Sequence, residues 1–206
     1  MHYISILSTL ITFTFAVAVF NRYRERKGAH LLLWGIGLVF YGLGTLTEVI
    51  LSFTFSELAL KIWYLTGAML TAAWLGQGTV HLLVRKRGVA FTLTVILAAV
   101  SILSAALVFI APLTPAAAAY NINRPASEQY KEIMTRNSLT ILLTILLNIY
   151  GTLTLAGGAV YSAWLLRRRE IAPQRVAGNL LIAAGALAIA SAGTLTRLGL
   201  GDVLHL

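Results

Sequence analysis

Long apolar runs alternate with short polar interruptions along the whole chain, and most of the interruptions are basic. The runs lie at about 3–21, 30–53, 58–84, 89–111, 138–166 and 176–196. Each is long enough to cross roughly 30 Å of hydrocarbon at about 1.5 Å rise per residue. Lipid offers no partner for backbone N–H and C=O groups, so such runs are expected to be helices and not strands of an open sheet. The pattern predicts an all-α fold: one transmembrane domain over residues 1–206, a polytopic bundle of about six spans.

The interruptions set an orientation. No Lys or Arg precedes the first run, whereas Arg22, Arg24, Arg26 and Lys27 follow it; this is the reverse of a secretory signal peptide. The third run is closed by Arg85, Lys86 and Arg87, and the fifth by Arg167, Arg168 and Arg169, with Arg175 beyond the Pro173 turn. Of 16 Lys and Arg residues these connections hold 11, and the positive-inside bias then places the N-terminus outside the cytoplasm. With six spans both termini lie outside; the tail 198–206 is too short to cross, and a seventh helix would lie beyond Leu206. A multi-pass bacterial inner-membrane protein is the expected setting.

Composition narrows the class. The chain is 58% hydrophobic and 11% charged, with a mean hydropathy of +0.82, against about 25% charged residues in a soluble domain. A water-soluble fold is excluded. The net charge of +9 would suggest nucleic acid in a soluble protein. Here the basic residues sit beside membrane spans, where they act as topology determinants and contacts for anionic lipid headgroups. No nucleic-acid partner is expected. With no cysteine, disulfides and thiolate chemistry are absent.

One connection is long. Pro112 and Pro115 end the fourth run, and residues 113–137 pass into a polar stretch in which Ser127 is a candidate cap for a short amphipathic helix. A loop of this length is commonly functional, as a binding lid, or a plain connector.

In lipid the informative helix face is small or polar. On the third run Trp63, Gly67, Leu70, Trp74, Gln77 and His81 recur at spacings of four and three, a face expected to point into the bundle. The fifth carries Thr144, Asn148, Gly151, Gly158 and Ser162 on one side, and the sixth Gly178, Gly185 and Gly193; these are expected close-packing faces and places for helix contacts with a partner. Ser5, Thr9 and Thr12 align on the first run, for packing. The fourth run, with only Thr and Ser as polar residues, is expected at the lipid periphery. Trp34, Trp63 and Trp164 fit an aromatic belt, and Trp74 falls near mid-membrane.

Glu48 is the acidic residue set well within a run, and a charge at that depth costs several kcal/mol unless paired or neutral. It shares a face with Tyr41 and Gly44, and Lys61 enters the next run at similar depth. An ion pair Glu48–Lys61 is the expectation, either fixing helix packing or forming a ligand or ion site with Tyr41, Trp74 and Gln77. His30 and His81 fall near the inner ends of neighbouring helices, where two imidazoles are a candidate haem clamp; the alternative is an interfacial His30 and a His81 bonded to Gln77. No other cofactor is expected. Paired carboxylates, a phosphate-binding loop, a zinc motif and a nucleophile with its base are all missing, so the chain reads as non-enzymatic.

The stretch from Glu48 through Leu60-Lys61-Ile62-Trp63-Tyr64-Leu65 to Arg85-Lys86-Arg87 resembles the seven-helix membrane input domain of bacterial sensor histidine kinases. Those domains also start with the N-terminus outside and place an acidic residue late in their second helix. The sequence departs from them in having no cytoplasmic effector domain and one helix fewer. The resemblance implies a ligand-sensing or partner-coupling membrane module, without kinase activity. The expected function is therefore binding, as a sensor-like module or as a subunit coupled to a partner membrane protein or to a second copy. A small autonomous transporter or channel, and a bis-His haem electron carrier, are the competing readings.

Overall fold

The computed structural model describes residues 2–84, 86–168, 177, 178, 180–185 and 187. Among them the chain is helical, and no strand forms beyond one isolated bridge between Leu113 and Met134. Five helices are long and apolar enough to cross a membrane. They are α1 (His2–Arg26), α2 (Ala29–Leu51), α3 (Glu57–Leu83), α4 (Arg87–Ile110) and, after a short α5 (Ala126–Ile133), α6 (Ser138–Leu165). The expected sixth span falls largely outside the described residues; those of its positions that are described, from Ala177 to Leu187, are helical. Gly193, Arg169, Pro173, Arg175 and the tail 198–206 lie outside them as well, as does Arg85.

Local chemistry sets the boundaries. α1 runs one turn past its apolar stretch and stops at Lys27, whose φ of 50° is the left-handed value that ends a helix. Ser56 caps α3 by accepting from the Ala59 N–H at 3.3 Å, and Asn137 caps α6 by accepting from Thr140 N–H at 2.7 Å, each satisfying an orphan donor of the first turn. α4 ends at Ile110, two residues before Pro112.

α3 is the central post. α1 packs on α2, with Phe13 over Gly42 and Phe20 over Gly35. α2 and α6 then close on α3 from different sides. Gly44 meets the Gly67 backbone, where an added Cβ would stand 2.9 Å from Gly67 Cα. Gly151 meets Ala72 still more tightly, since a Cβ there would lie 2.3 Å from the Ala72 carbonyl carbon. Small residues let helix backbones approach where lipid supplies no hydrophobic force between helices. The Gly151 and Gly158 side of α6 packs inside the chain, against Ala72 and Thr79, as expected of a close-packing face.

Two stretches widen from α to π geometry, Trp63–Leu70 in α3 and Leu153–Gly157 in α6. The first interrupts the spacing of the face read from the sequence, although Trp63, Leu70 and Gln77 on it are buried as expected. With i→i+5 pairing over Trp63–Leu70, the spacing of Trp63 and Gly67 does not continue in register to Trp74, Gln77 and His81. Side chains take up carbonyls of this widened turn: Thr71 Oγ1 donates to Thr66 O at 2.7 Å, and Asn148 Nδ2 reaches across from α6 to Ala68 O at 2.8 Å. α1 and α4 present apolar residues outward, including Ile4, Leu10, Ile102 and Ile110. That matches the peripheral place expected of the fourth run.

Candidate functional site

The 113–137 connection is a folded cover. Its two ends are tied together by Thr114 N–H to Ile133 O at 2.8 Å and Thr135 N–H to Pro112 O at 3.1 Å. Between them a 3-10 turn, Pro115–Ala119, leads to a bend at residues 120–125 and then to α5. Gln129 organises the bend: buried at 7% exposure, it accepts from Asn121 N–H and donates to the carbonyls of Asn121 and Arg124, each at 2.9 Å. Ser127 is not the cap. α5 begins at Ala126 after Pro125, whose ring suits the position just before a helix, and no side chain caps it. The cover is pinned to the start of α3 by Tyr130 against Trp63 and Tyr64, at 5.5 and 5.4 Å between ring centroids, and by Tyr120 against Phe55 at 5.0 Å.

Beneath the bend lies a cavity of about 200 Å³. Glu48 and Ser52 at the end of α2 form its floor, Ile4 and Ser5 of α1 one wall, and Tyr120, Ile122 and Arg124 of the cover much of the rest. Glu48 is half-buried, with the Trp63 side chain in hydrogen-bonding reach of its carboxyl. Among the described residues no Lys or Arg pairs with it.

The expected Glu48–Lys61 pair does not form. Lys61, 6% exposed, is bound to Glu57 at 2.6 Å and donates to the Phe109 carbonyl at the end of α4 at 3.0 Å. Glu57 stands one turn before Lys61 on the same helix, and such an i, i+4 partner is reached at no cost in helix placement. The Phe109 carbonyl adds the negative end of a helix dipole. Arg124 is likewise engaged, to Glu128 at 3.2 Å. Arg124, the cation that lines the cavity, and Lys61 are therefore each paired with a carboxylate other than Glu48. Burial first, and then the Glu48 carboxylate, push the Tyr120 phenol above its ordinary range, so Tyr120 stays protonated and able to donate.

The remaining candidates lie elsewhere. Tyr41 is partly buried on α2 and does not line the cavity. Trp74 donates to Ser101 Oγ at 3.0 Å, tying α3 to α4. Gln77, fully buried, donates to Ala90 O at 2.9 Å and to Thr94 Oγ1 at 2.8 Å, and accepts from the Tyr150 hydroxyl. His81 Nε2 is 2.7 Å from the same Thr94 Oγ1, which corrects the expected His81–Gln77 bond. Thr94 Oγ1 also lies 3.0 Å from Ala90 O, so the hydroxyl links His81 and Gln77 to the first turn of α4. His30 stands edge-on to Trp34 at 5.3 Å. The two imidazoles are near enough to interact electrostatically, but His81 Nε2 reaches an iron only by giving up Thr94. Of the expected aromatic belt, Trp34 instead donates to Leu75 O at 3.1 Å and Trp63 is buried under Tyr130; Trp164 carries the exposed stack with Tyr161 and Arg168.

The chain matches no family model, no curated protein and no solved structure at a significant level. Its function has to be argued from its own residues.

Sequence reasoning found Glu48 through its charge at membrane depth and suspected the cover through its length. It missed Ser52, Tyr120 and Gln129, which carry no signal of their own: a serine at a helix end, a loop tyrosine and a glutamine beside acidic residues look like ordinary surface until the cover folds back.

Proposed function

We propose that this protein is a non-enzymatic membrane module that acts by binding, as a sensor-like unit or as a subunit coupled to a partner membrane protein. In this reading the Glu48 cavity is its ligand site and lies on the extracytoplasmic side of a bacterial inner membrane. The observation that carries the proposal is a carboxyl in the last turn of a helix apolar enough to cross a membrane, lining a half-open cavity and without a cation partner among the described residues. A polar group that costs free energy at such depth is retained where it serves function. The basic ends of α1 and α6, and Lys86 before α4, support placing the opposite end of the bundle outside. The resemblance of the Glu48 to Arg87 stretch to sensor input domains points the same way.

The test is mass spectrometry of what co-purifies with the tagged protein from its native membrane in mild detergent. A stoichiometric partner protein is expected. Recovery of the chain alone would overturn the coupled-module reading in favour of autonomous transport.

A further inference from the structure

We infer that the Glu48 cavity takes a small organic ammonium ion, with the Glu48 carboxylate as counter-ion and the Tyr120 ring as an aromatic wall. The inference rests on the reading of this cavity as the ligand site, and adds the class of ligand.

Charge is the first argument. Arg124 lines the cavity with its guanidinium on Glu128 at 3.2 Å in an exposed pair, Lys61 is held by Glu57, and Arg136 lies over the Tyr130 ring, so that among the described residues no cation is paired with the Glu48 carboxyl. An anion would meet the Glu48 carboxyl directly and would have to draw Arg124 away from Glu128. A neutral apolar guest would leave the carboxylate without a partner in surroundings poor in water, which is costly.

The lining is the second argument. Ile4, Ile122, Pro125 and Ala126 make most of the surface apolar, and the oxygens come from Glu48, the hydroxyls of Ser5, Ser52 and Tyr120, and the Asn123 side chain. A hard metal ion asks for six or more oxygens at short distance, several of them charged, and one carboxylate among aliphatic walls is a poor match. An alkylated ammonium carries its charge inside methyl or methylene groups, so it satisfies the carboxylate and the apolar walls together. A ring such as Tyr120 attracts such an ion through its π face.

Size is the third. About 200 Å³ is below the roughly 300–1,000 Å³ of pockets that hold drug-sized ligands, and suits a cation of a few carbon atoms. The hydroxyl of Ser52, which donates to Val49 O at 2.7 Å, keeps its lone pairs for any N–H the ligand brings.

The experiment compares tetramethylammonium chloride with tert-butanol, a neutral molecule of nearly the same shape, by isothermal titration into the full chain in lipid nanodiscs, with sodium chloride as the ionic control. Tetramethylammonium is expected to bind on the order of tenfold more tightly than tert-butanol, a difference of about 1.4 kcal/mol, and Glu48→Gln is expected to abolish that preference. Equal binding of the two probes, displacement by sodium at the same concentration, or no binding of tetramethylammonium would each overturn the ammonium assignment. Ser52→Phe, which fills the cavity, separates this failure from that of the underlying reading. If both probes bind equally and both are lost in Ser52→Phe, the site stands and the ligand class is wrong. If Ser52→Phe changes neither, the cavity is not the site.

Discussion

Gln77 and Glu48 are both polar residues at membrane depth on neighbouring helices, and the fold treats them in opposite ways. Gln77 is fully buried and each part of its amide is used: the nitrogen by Ala90 O and Thr94, the oxygen by Tyr150. Nearby, Thr144 gives its proton to Thr140 O at 2.7 Å, so the Tyr64 hydroxyl is the donor in their 2.9 Å bond. Trp74 and Asn148 are also satisfied. Ser104 Oγ on α4 and Arg136 Nε are buried atoms with no hydrogen-bond partner among the described residues. Glu48 sits instead in a half-open site, with no ion-pair partner among the described residues. The difference separates polar groups that fix helix packing from a polar group that keeps its binding capacity in reserve.

The comparison breaks most readily on the packing side. Gly151→Ala is expected to have the largest effect, because its Cβ would stand 2.3 Å from backbone of Ala72 and α3 and α6 would have to part. Overpacking of this kind costs about 1–3 kcal/mol and occasionally more, read as a loss of monodisperse protein or a lower midpoint of thermal unfolding in detergent. Gln77→Leu is expected to cost less, about 1 kcal/mol, near the upper part of the range for single interhelical hydrogen bonds in membranes. Tyr150→Phe added to it should cost little more, since the two share one bond. A fully additive pair would show that the bond between them contributes nothing.

The smallest expected effect sharpens the other side. The Tyr120 phenol titrates above its ordinary value of 10.0 in the folded cover. A raised value means that the fold favours the neutral phenol, so its contribution is complete below the ordinary value and is lost as pH rises through the folded one. Limited proteolysis should therefore find the 113–137 cover opening at strongly alkaline pH in the wild type, and Tyr120→Phe should shift that opening to higher pH. Identical profiles would remove Tyr120 from the cavity's electrostatics.

The first five spans were legible because membrane helices are written in unbroken apolar residues, and their ends agree with the predicted ones to within a few residues, apart from the first, which continues to Arg26. The face of α3 was legible only in part. Trp63, Leu70 and Gln77 are buried as expected, yet the widened turn at Trp63–Leu70 leaves no mark in a 3.6-residue period. Glu48 stood out by charge and depth, whereas its partner was misjudged because depth alone pointed to Lys61 and the local preference of Lys61 for Glu57 was not weighed. Gln129 was invisible for a different reason. Its bonds go to backbone four to eight residues away, and only the folded bend at residues 120–125 brings those carbonyls within reach.

The most direct test of the central claim is the thermal unfolding of purified Glu48→Gln in detergent. If Glu48 is kept for binding, removing its charge relieves a cost and leaves the Trp63 contact available to the new amide, so the midpoint should stay the same or rise. A fall of several degrees would show that Glu48 holds the helices together, and would contradict the account.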